Sequence, residues 1–244
     1  MFGLFKKKRK EPEFDFSAIG TDMHSHIIPG IDDGARNVND SIALAKRFEA
    51  LGYKKLIATP HIMADYFRNT PDTINRGLDE LREGLLQNEI DLEVAAAAEY
   101  YMDETFEKKV REKNVLTFGD NYLLFELSFI NHPQNLGDMI KLMLDSGYKP
   151  VLAHPERYPY YHGSVENYSR IRAQNCYLQT NAIALTGYYG PGPKALAEEM
   201  AENNLIDFVG SDMHHLRHAD ALKESLYTSS IQKLLSRPLK NKIL

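Results

Sequence analysis

One event, repeated along the chain, limits what it can fold into: a short apolar run that ends on, or contains, a metal-type side chain. It occurs six times in 244 residues. "TDMHSH" delivers His24 and His26, "KKLIATPH" ends on His61, and "LEVAAAAEY" reaches Glu99. "NYLLFELS" contains Glu126, "KPVLAHPER" leads to His154, and "IDFVGSDMHH" carries Asp212 and His214. Asp33 joins them from the "DDG" after the first run. The stretches between have helical period. "SIALAKRFEALG" puts Ile42, Ala45, Phe48 and Leu51 on one stripe, with Asn39 or Asp40 as cap and Gly52 as stop. "TPDTINRGLDELREGLL" has Thr70 as cap, Pro71 at the first helical position, and Ile74, Leu78, Leu81 and Leu85 on one face. Further helices are expected at about 103–113, at 136–146 and, as one last helix, at about 218–236.

Roughly seven strand–helix units result, with crossovers long enough to join parallel strands. An open doubly wound sheet and a closed barrel both satisfy this alternation. In an open sheet the strand ends lie along a line, and a compact site draws chiefly on those near the switch point. A closed barrel points every strand end at one mouth. Ligand-type residues from six of seven strands therefore favour an α/β barrel. No low-complexity linker interrupts the chain, so residues 16–244 are expected to form one domain, and 43% hydrophobic residues can fill its core.

Residues 1–15 are kept apart as a basic tail. Its five consecutive basic residues, Lys6 to Lys10, follow a very short apolar start, the reverse of a signal peptide. A solvated tail is the plain reading; the sharper one is that Phe2, Leu4 and Phe5 with the lysines touch an anionic membrane surface or an acidic partner. The net charge of −5 gives no ground for nucleic-acid binding, and no apolar run approaches the roughly 20 residues of a membrane span. The single cysteine, Cys176, rules out an intramolecular disulfide and fits a reducing, cytoplasmic compartment.

A lone histidine at a strand end is ordinarily a hydrogen-bonded rim residue. Glu99 and Glu126 differ, because each lies in an apolar run, where an ionised carboxylate is costly without a compensating cation or donor. Nine nitrogen and oxygen donors with no cysteine suit several divalent ions such as manganese, iron or zinc. They are too many for one tetrahedral zinc. Clustered metals of this kind serve hydrolysis: one or two generate hydroxide near neutral pH, and the others neutralise developing charge.

"DMHSH", "DDG", "TPH", "AAAEY", "FEL", "AHPERY" and "GSDMH", in this order, resemble the polymerase and histidinol phosphatase (PHP) superfamily. More closely they resemble its branch of bacterial manganese-dependent protein-tyrosine phosphatases associated with capsule and exopolysaccharide gene clusters. The resemblance implies a distorted (β/α)7 TIM-like barrel with three divalent ions. His24, His26, Glu99 and Asp212 would hold one; Glu99 would bridge to a second held by Glu126 and His154; Asp33, His61 and His214 would hold the third. Arg157 of "HPER" would grip the phosphate with its planar fork. The branch places a second phosphate-binding arginine a few residues after the last metal histidine, past an asparagine. Here His215 stands in the asparagine's place, and Arg217, the only nearby arginine, comes about two residues early. A metal-bridging hydroxide would attack phosphorus in line, and the implied partner is a tyrosine-phosphorylated protein, a bacterial tyrosine kinase at the inner membrane. Aromatic residues after the strands, among them Tyr66, Phe67, Tyr158, Tyr160, Tyr161, Tyr188 and Tyr189, are expected at the mouth, with Tyr66 and Tyr158 against substrate.

Three rival readings stand beside this one. A PHP phosphatase for histidinol phosphate or another small phosphoester would share the ligands. An amidohydrolase-type barrel would typically need a bridging lysine at a strand end, and no ligand run ends in lysine. A non-catalytic PHP module is disfavoured by the intact set of nine. A cysteine-dependent phosphatase would need an arginine six residues after Cys176, where Ala182 stands.

Overall fold

The computed structural model describes residues 10–244, so Phe2, Leu4, Phe5 and the basic residues 6–9 lie outside the described part of the chain. Phe14, assigned to the tail by sequence, is tied down: its N–H donates to the Gln232 side chain at 2.8 Å, and its carbonyl accepts from the same amide at 2.9 Å.

All strand pairs are parallel. One sheet runs β1 (Thr21–Ser25), β2 (Lys55–Ala58), β4 (Glu93–Ala96). The other runs β3 (His61–Ile62), β5 (Glu99–Tyr101), β6 (Tyr122–Glu126), β7 (Lys149–Ala153), β8 (Tyr177–Asn181), β9 (Phe208–Gly210). The seven expected strands thus appear as nine segments among the described residues. Two are interrupted, one at Thr59–Pro60 and one at Ala97–Ala98. Pro60 has no N–H to give to a ladder, yet its carbonyl still accepts from Glu99 N at 3.1 Å, and Ala58 O accepts from Ala97 N at 2.8 Å. The hydrogen bonding therefore carries across both breaks. Beyond β9 the chain runs beside β1: Asp212 N donates to His24 O at 2.8 Å and His26 N to Met213 O at 3.0 Å.

Strand alternation separates two apolar layers. Met23, Ile57, Leu124, Val151 and Phe208 pack together in one cluster. Leu56, Val94, Leu123, Phe125, Leu152 and Leu178 belong to the larger core with the helices. Glu126, two residues past Leu124 on β6, therefore points the same way as the inner cluster, toward the carboxyl ends of the strands.

The helices follow the sequence pattern with a few shifts. α1 (Val38–Ala50) is capped by Asn37, whose side chain accepts from Asp40 N, so the cap lies earlier than Asn39 or Asp40. α2 (Pro71–Gln87) carries a reciprocal Thr70–Thr73 capping box and buries Ile74, Leu78, Leu81 and Leu85. α3 (Glu104–Arg111), α4 (Leu136–Asp145), α5 (Glu166–Ala173) and α6 (Pro191–Glu202) alternate with the later strands. The expected last helix is two, α7 (Leu216–Ser225) and α8 (Ser229–Leu235), because Thr228 turns to an extended backbone and caps a new start at Ile231 N. No helix of the described residues is long and apolar enough to cross a membrane.

Candidate metal centre

All nine residues singled out by sequence meet at the carboxyl ends of the strands. Their donor atoms fall into four overlapping groups, each within 4.8 Å: His26, Asp33, His61 and His214; His24, Glu99 and His154; His24, His26 and Asp212; His61, Glu99 and Glu126. Strand register explains part of this, since His61 lies directly opposite Glu99, and Tyr101 opposite Glu126. Glu99 is the hub. Its Oε2 is 3.1 Å from His61 Nδ1, 3.3 Å from His24 Nε2 and 3.5 Å from His26 Nε2, while Oε1 is 2.9 Å from His154 Nε2. Asp212 Oδ1 lies 3.4 Å from His26 Nε2 and 3.5 Å from His24 Nε2. Asp33 Oδ1 faces His214 Nε2 at 3.3 Å and His61 Nε2 at 3.6 Å.

The histidines are aimed by fixing their other nitrogen. His26 Nδ1 donates to Asp32 Oδ2 at 2.7 Å. His24 Nδ1 donates to Gln179 Oε1 at 2.7 Å, the Gln179 amide nitrogen being spent on Asn181 Oδ1 at 2.9 Å. His214 Nδ1 donates to Asp212 O at 2.9 Å. Each of the three rings thus turns Nε2 to the cluster, the arrangement that sets tautomer and aim in metal sites. β8, which carries none of the nine residues, supplies this outer layer: Asn181 Nδ2 also donates to Asp212 Oδ2 at 2.7 Å.

"DDG" can now be read residue by residue. Asp32 holds His26, Asp33 faces two further histidines, and Gly34 lies on the His26 backbone, where an added Cβ would come 2.0 Å from His26 O. His154 and Asp212, just past β7 and β9, have left-handed backbones with φ of 31° and 50°. Such strain in non-glycine residues persists where the surroundings enforce it.

Electrostatics mark the same cluster. Burial opposes charge on His24, yet Glu99 and Asp212 outweigh it and raise the ring to about 9. Burial would raise Asp33, but His214 lowers its carboxyl to about 2. Against burial, the histidines hold Glu99 and Asp212 well below the usual carboxylate range. The carboxylates thus demand positive charge from their neighbours. Glu99 Oε2 and His61 Nδ1 are buried and make no hydrogen bond. Convergent nitrogen and oxygen donors left unsatisfied, with no sulfur among them, fit divalent ions.

The cluster opens into a cavity of about 340 Å³ whose wall includes Arg157, Phe129 and Tyr189. The Arg157 guanidinium lies over two rings, 4.7 Å from the Phe129 centre and 4.6 Å from that of Tyr189, and its Nη1 donates to Asp212 Oδ2 at 2.9 Å. Phe129 also stacks on His154 at 5.6 Å. Phe67 stacks on His61 at 5.3 Å.

Other expectations move. Tyr158 is fully buried; its hydroxyl donates to Ala153 O and accepts from Leu127 N, both at 3.0 Å. It is a core residue tying β6 to β7, and does not reach the mouth. Tyr66 is 75% exposed and is absent from the cavity wall. Arg217 is exposed on the first turn of α7 and lines a neighbouring groove with Arg36 and Leu216. Asp32, Gln179, Asn181 and Phe129 went unnoticed in the sequence. The aspartate doublet and the alternating Gln179 and Asn181 in "CYLQTNA" were the available signals.

The sequence matches the family model for capsular polysaccharide synthesis, CpsB/CapC, over residues 20–243. The chain belongs to that family. Relatives include the tyrosine-protein phosphatase YwqE of Bacillus subtilis strain 168, 30% identical over 208 residues that cover 84% of this chain and 82% of YwqE. The tyrosine-protein phosphatase CpsB of Streptococcus pneumoniae is 28% identical over 201 residues, 80% of this chain and 83% of CpsB. The fold superimposes with a TM-score of 0.79 and 28% identity on a chain from the crystal structures of YwqE and CpsB, described as unique metal-dependent tyrosine phosphatases; 91% of this chain and 94% of that one are covered. The lactonase Lmo2620 of Listeria monocytogenes, at 12% identity and a TM-score of 0.54, shares the fold alone.

Proposed function

We propose that this protein is a metal-dependent phosphotyrosine-protein phosphatase, a phosphoric monoester hydrolase of capsule or exopolysaccharide synthesis. The observation that carries the reading is the nine-ligand cluster beneath a cavity walled by Arg157. The relatives named as tyrosine phosphatases support the substrate class.

The hydrogen bonds from His26 and Asp212 across β1 and the end of β9 support a ring of seven strands, closed as a (β/α)7 barrel within one domain of residues 16–244. Three divalent ions, manganese first, suit nine donors. His24, His26, Glu99 and Asp212 would hold one; Glu99, Glu126 and His154 a second; Asp33, His61 and His214 the third. The close approach of His26 to His214, with ring centres 4.0 Å apart, supports neighbouring sites that share a wall. When bound, such ions supply activated water and neutralise charge at phosphorus.

The chain's own residues do the rest. Arg157 offers a flat donor fork to phosphoryl oxygens, and the Phe129 and Tyr189 rings lie against its guanidinium. Phe129 is also placed to meet an aromatic ring entering the cavity. Tyrosine, with a pKa of about 10, leaves with little help from a general acid, whereas an alkyl alcohol needs firm protonation. The natural substrate we infer is a tyrosine-phosphorylated protein in the cytoplasm, a bacterial tyrosine kinase at the inner membrane. The test is phosphate release from a phosphotyrosine peptide, a phosphoserine peptide and histidinol phosphate, on chelator-stripped protein with and without manganese. Manganese-dependent turnover confined to phosphotyrosine is expected; turnover of histidinol phosphate alone would move the protein to the small-phosphoester reading.

A further inference from the structure

A second groove, of about 450 Å³, leads away from the metal centre. It shares Asp33, His214 and His215 with the wall of the first cavity, so the two adjoin there. One wall is the loop before α1, with Arg36, and the first turn of α1, with Asp40; the other is the first turn of α7, with Leu216 and Arg217. Its charges are uneven. Arg36 Nε donates to Asp40 Oδ2 at 2.7 Å, so that arginine is already offset. Among the described residues Arg217 makes no ion pair. Leu216, 44% exposed, gives the same wall an apolar step.

We propose that this groove takes the polypeptide flanking the phosphotyrosine, and that Arg217 selects substrates with an acidic residue there. The proposal rests on the phosphotyrosine reading of the metal centre. A peptide whose phosphoryl group lies over the cluster meets this groove where the two cavities share Asp33 and His214. An apolar side chain meets Leu216, and a carboxylate beside it meets an arginine that makes no ion pair among the described residues. Arg217 then belongs to peptide recognition, which accounts for its position two residues early for a phosphate grip.

The test uses two phosphotyrosine peptides that differ only in carrying glutamates or lysines on both sides of the phosphotyrosine, with phenyl phosphate as a substrate too short for the groove. For an exposed pair, the expected preference in kcat/KM for the acidic peptide is about fivefold, and it shrinks at high salt. Arg217→Ala should remove the preference and Arg217→Glu should invert it, mainly through KM. Arg111→Glu, the same charge change on α3, should leave the preference in place. If the ratio of the two peptides is the same in wild type and both Arg217 variants, the proposal is wrong. A uniform fall on both peptides and phenyl phosphate would also overturn it, returning Arg217 to the phosphate. If neither peptide is cleaved while histidinol phosphate is, the phosphotyrosine reading itself fails and takes the groove's role with it.

Discussion

Asp32 accepts the Nδ1 proton of His26 at 2.7 Å, and with the same oxygen accepts from His61 N at 3.2 Å. Its other oxygen accepts from Gly34 N at 3.0 Å. One carboxylate outside the ligand set therefore aims one ligand ring and anchors the strand that bears another. Asp32→Asn removes the charge and, in either orientation of the amide, puts an NH2 where an acceptor is required. Manganese affinity should fall by about 10–100-fold, the usual worth of an outer-shell partner. Calorimetric titration of chelator-stripped protein measures it; wild-type affinity would show that His26 is held by packing alone.

Glu99→Gln should do more damage. Glu99 touches four of the five ligand histidines, at 2.9 to 3.5 Å. Glutamine keeps the shape but loses the charge and one acceptor. Turnover should drop by more than about 100-fold, above the range for outer-shell changes, with bound metal lost and the circular dichroism spectrum retained. An active Glu99→Gln enzyme with full metal content would rule out a bridging carboxylate at this position.

The nine-residue cluster was legible for a physical reason. A glutamate inside an apolar run is an energetic anomaly, and Glu99 and Glu126 are indeed buried. The supporting layer was not legible, because Gln179 and Asn181 look like ordinary polar residues of a strand. Only the folded chain shows that their amides link His24 to Asp212. Tyr158 was placed at the mouth because it follows His154 closely. What decides its direction is a pair of buried backbone groups, Leu127 N and Ala153 O, that need its hydroxyl. The run that reads as one strand from Lys54 to His61 divides into β2 and β3 at Thr59–Pro60, where Pro60 has no N–H for the ladder. At the other end of the chain, the Thr228 cap divides what reads as one amphipathic helix.

Arg157→Lys is conservative in charge only. The guanidinium lies over the Phe129 and Tyr189 rings, and an ammonium has neither the plane nor the fork. The kcat/KM for a phosphotyrosine peptide should fall by about tenfold or more, on the order of one lost charge-assisted hydrogen bond. Phe129→Leu should give a smaller fall in the same direction, since it removes one of the two rings against the guanidinium. Steady-state kinetics at saturating manganese checks both; a lysine variant as active as wild type would take Arg157 out of phosphate binding.

Tyr158→Phe separates a structural tyrosine from a substrate-binding one. Deleting the hydroxyl leaves Leu127 N–H and Ala153 O, both buried, without that partner. An unsatisfied buried group costs about 1–3 kcal/mol. For a domain of this size, each kcal/mol lowers the melting temperature by roughly 2–4 °C. The variant should therefore melt several degrees lower while the folded protein keeps its KM for a phosphotyrosine peptide. Ala153 and Leu127 directly adjoin the ligands His154 and Glu126, so a modest loss of metal affinity is expected alongside. A variant with unchanged melting temperature and a raised KM at saturating manganese would return Tyr158 to the substrate.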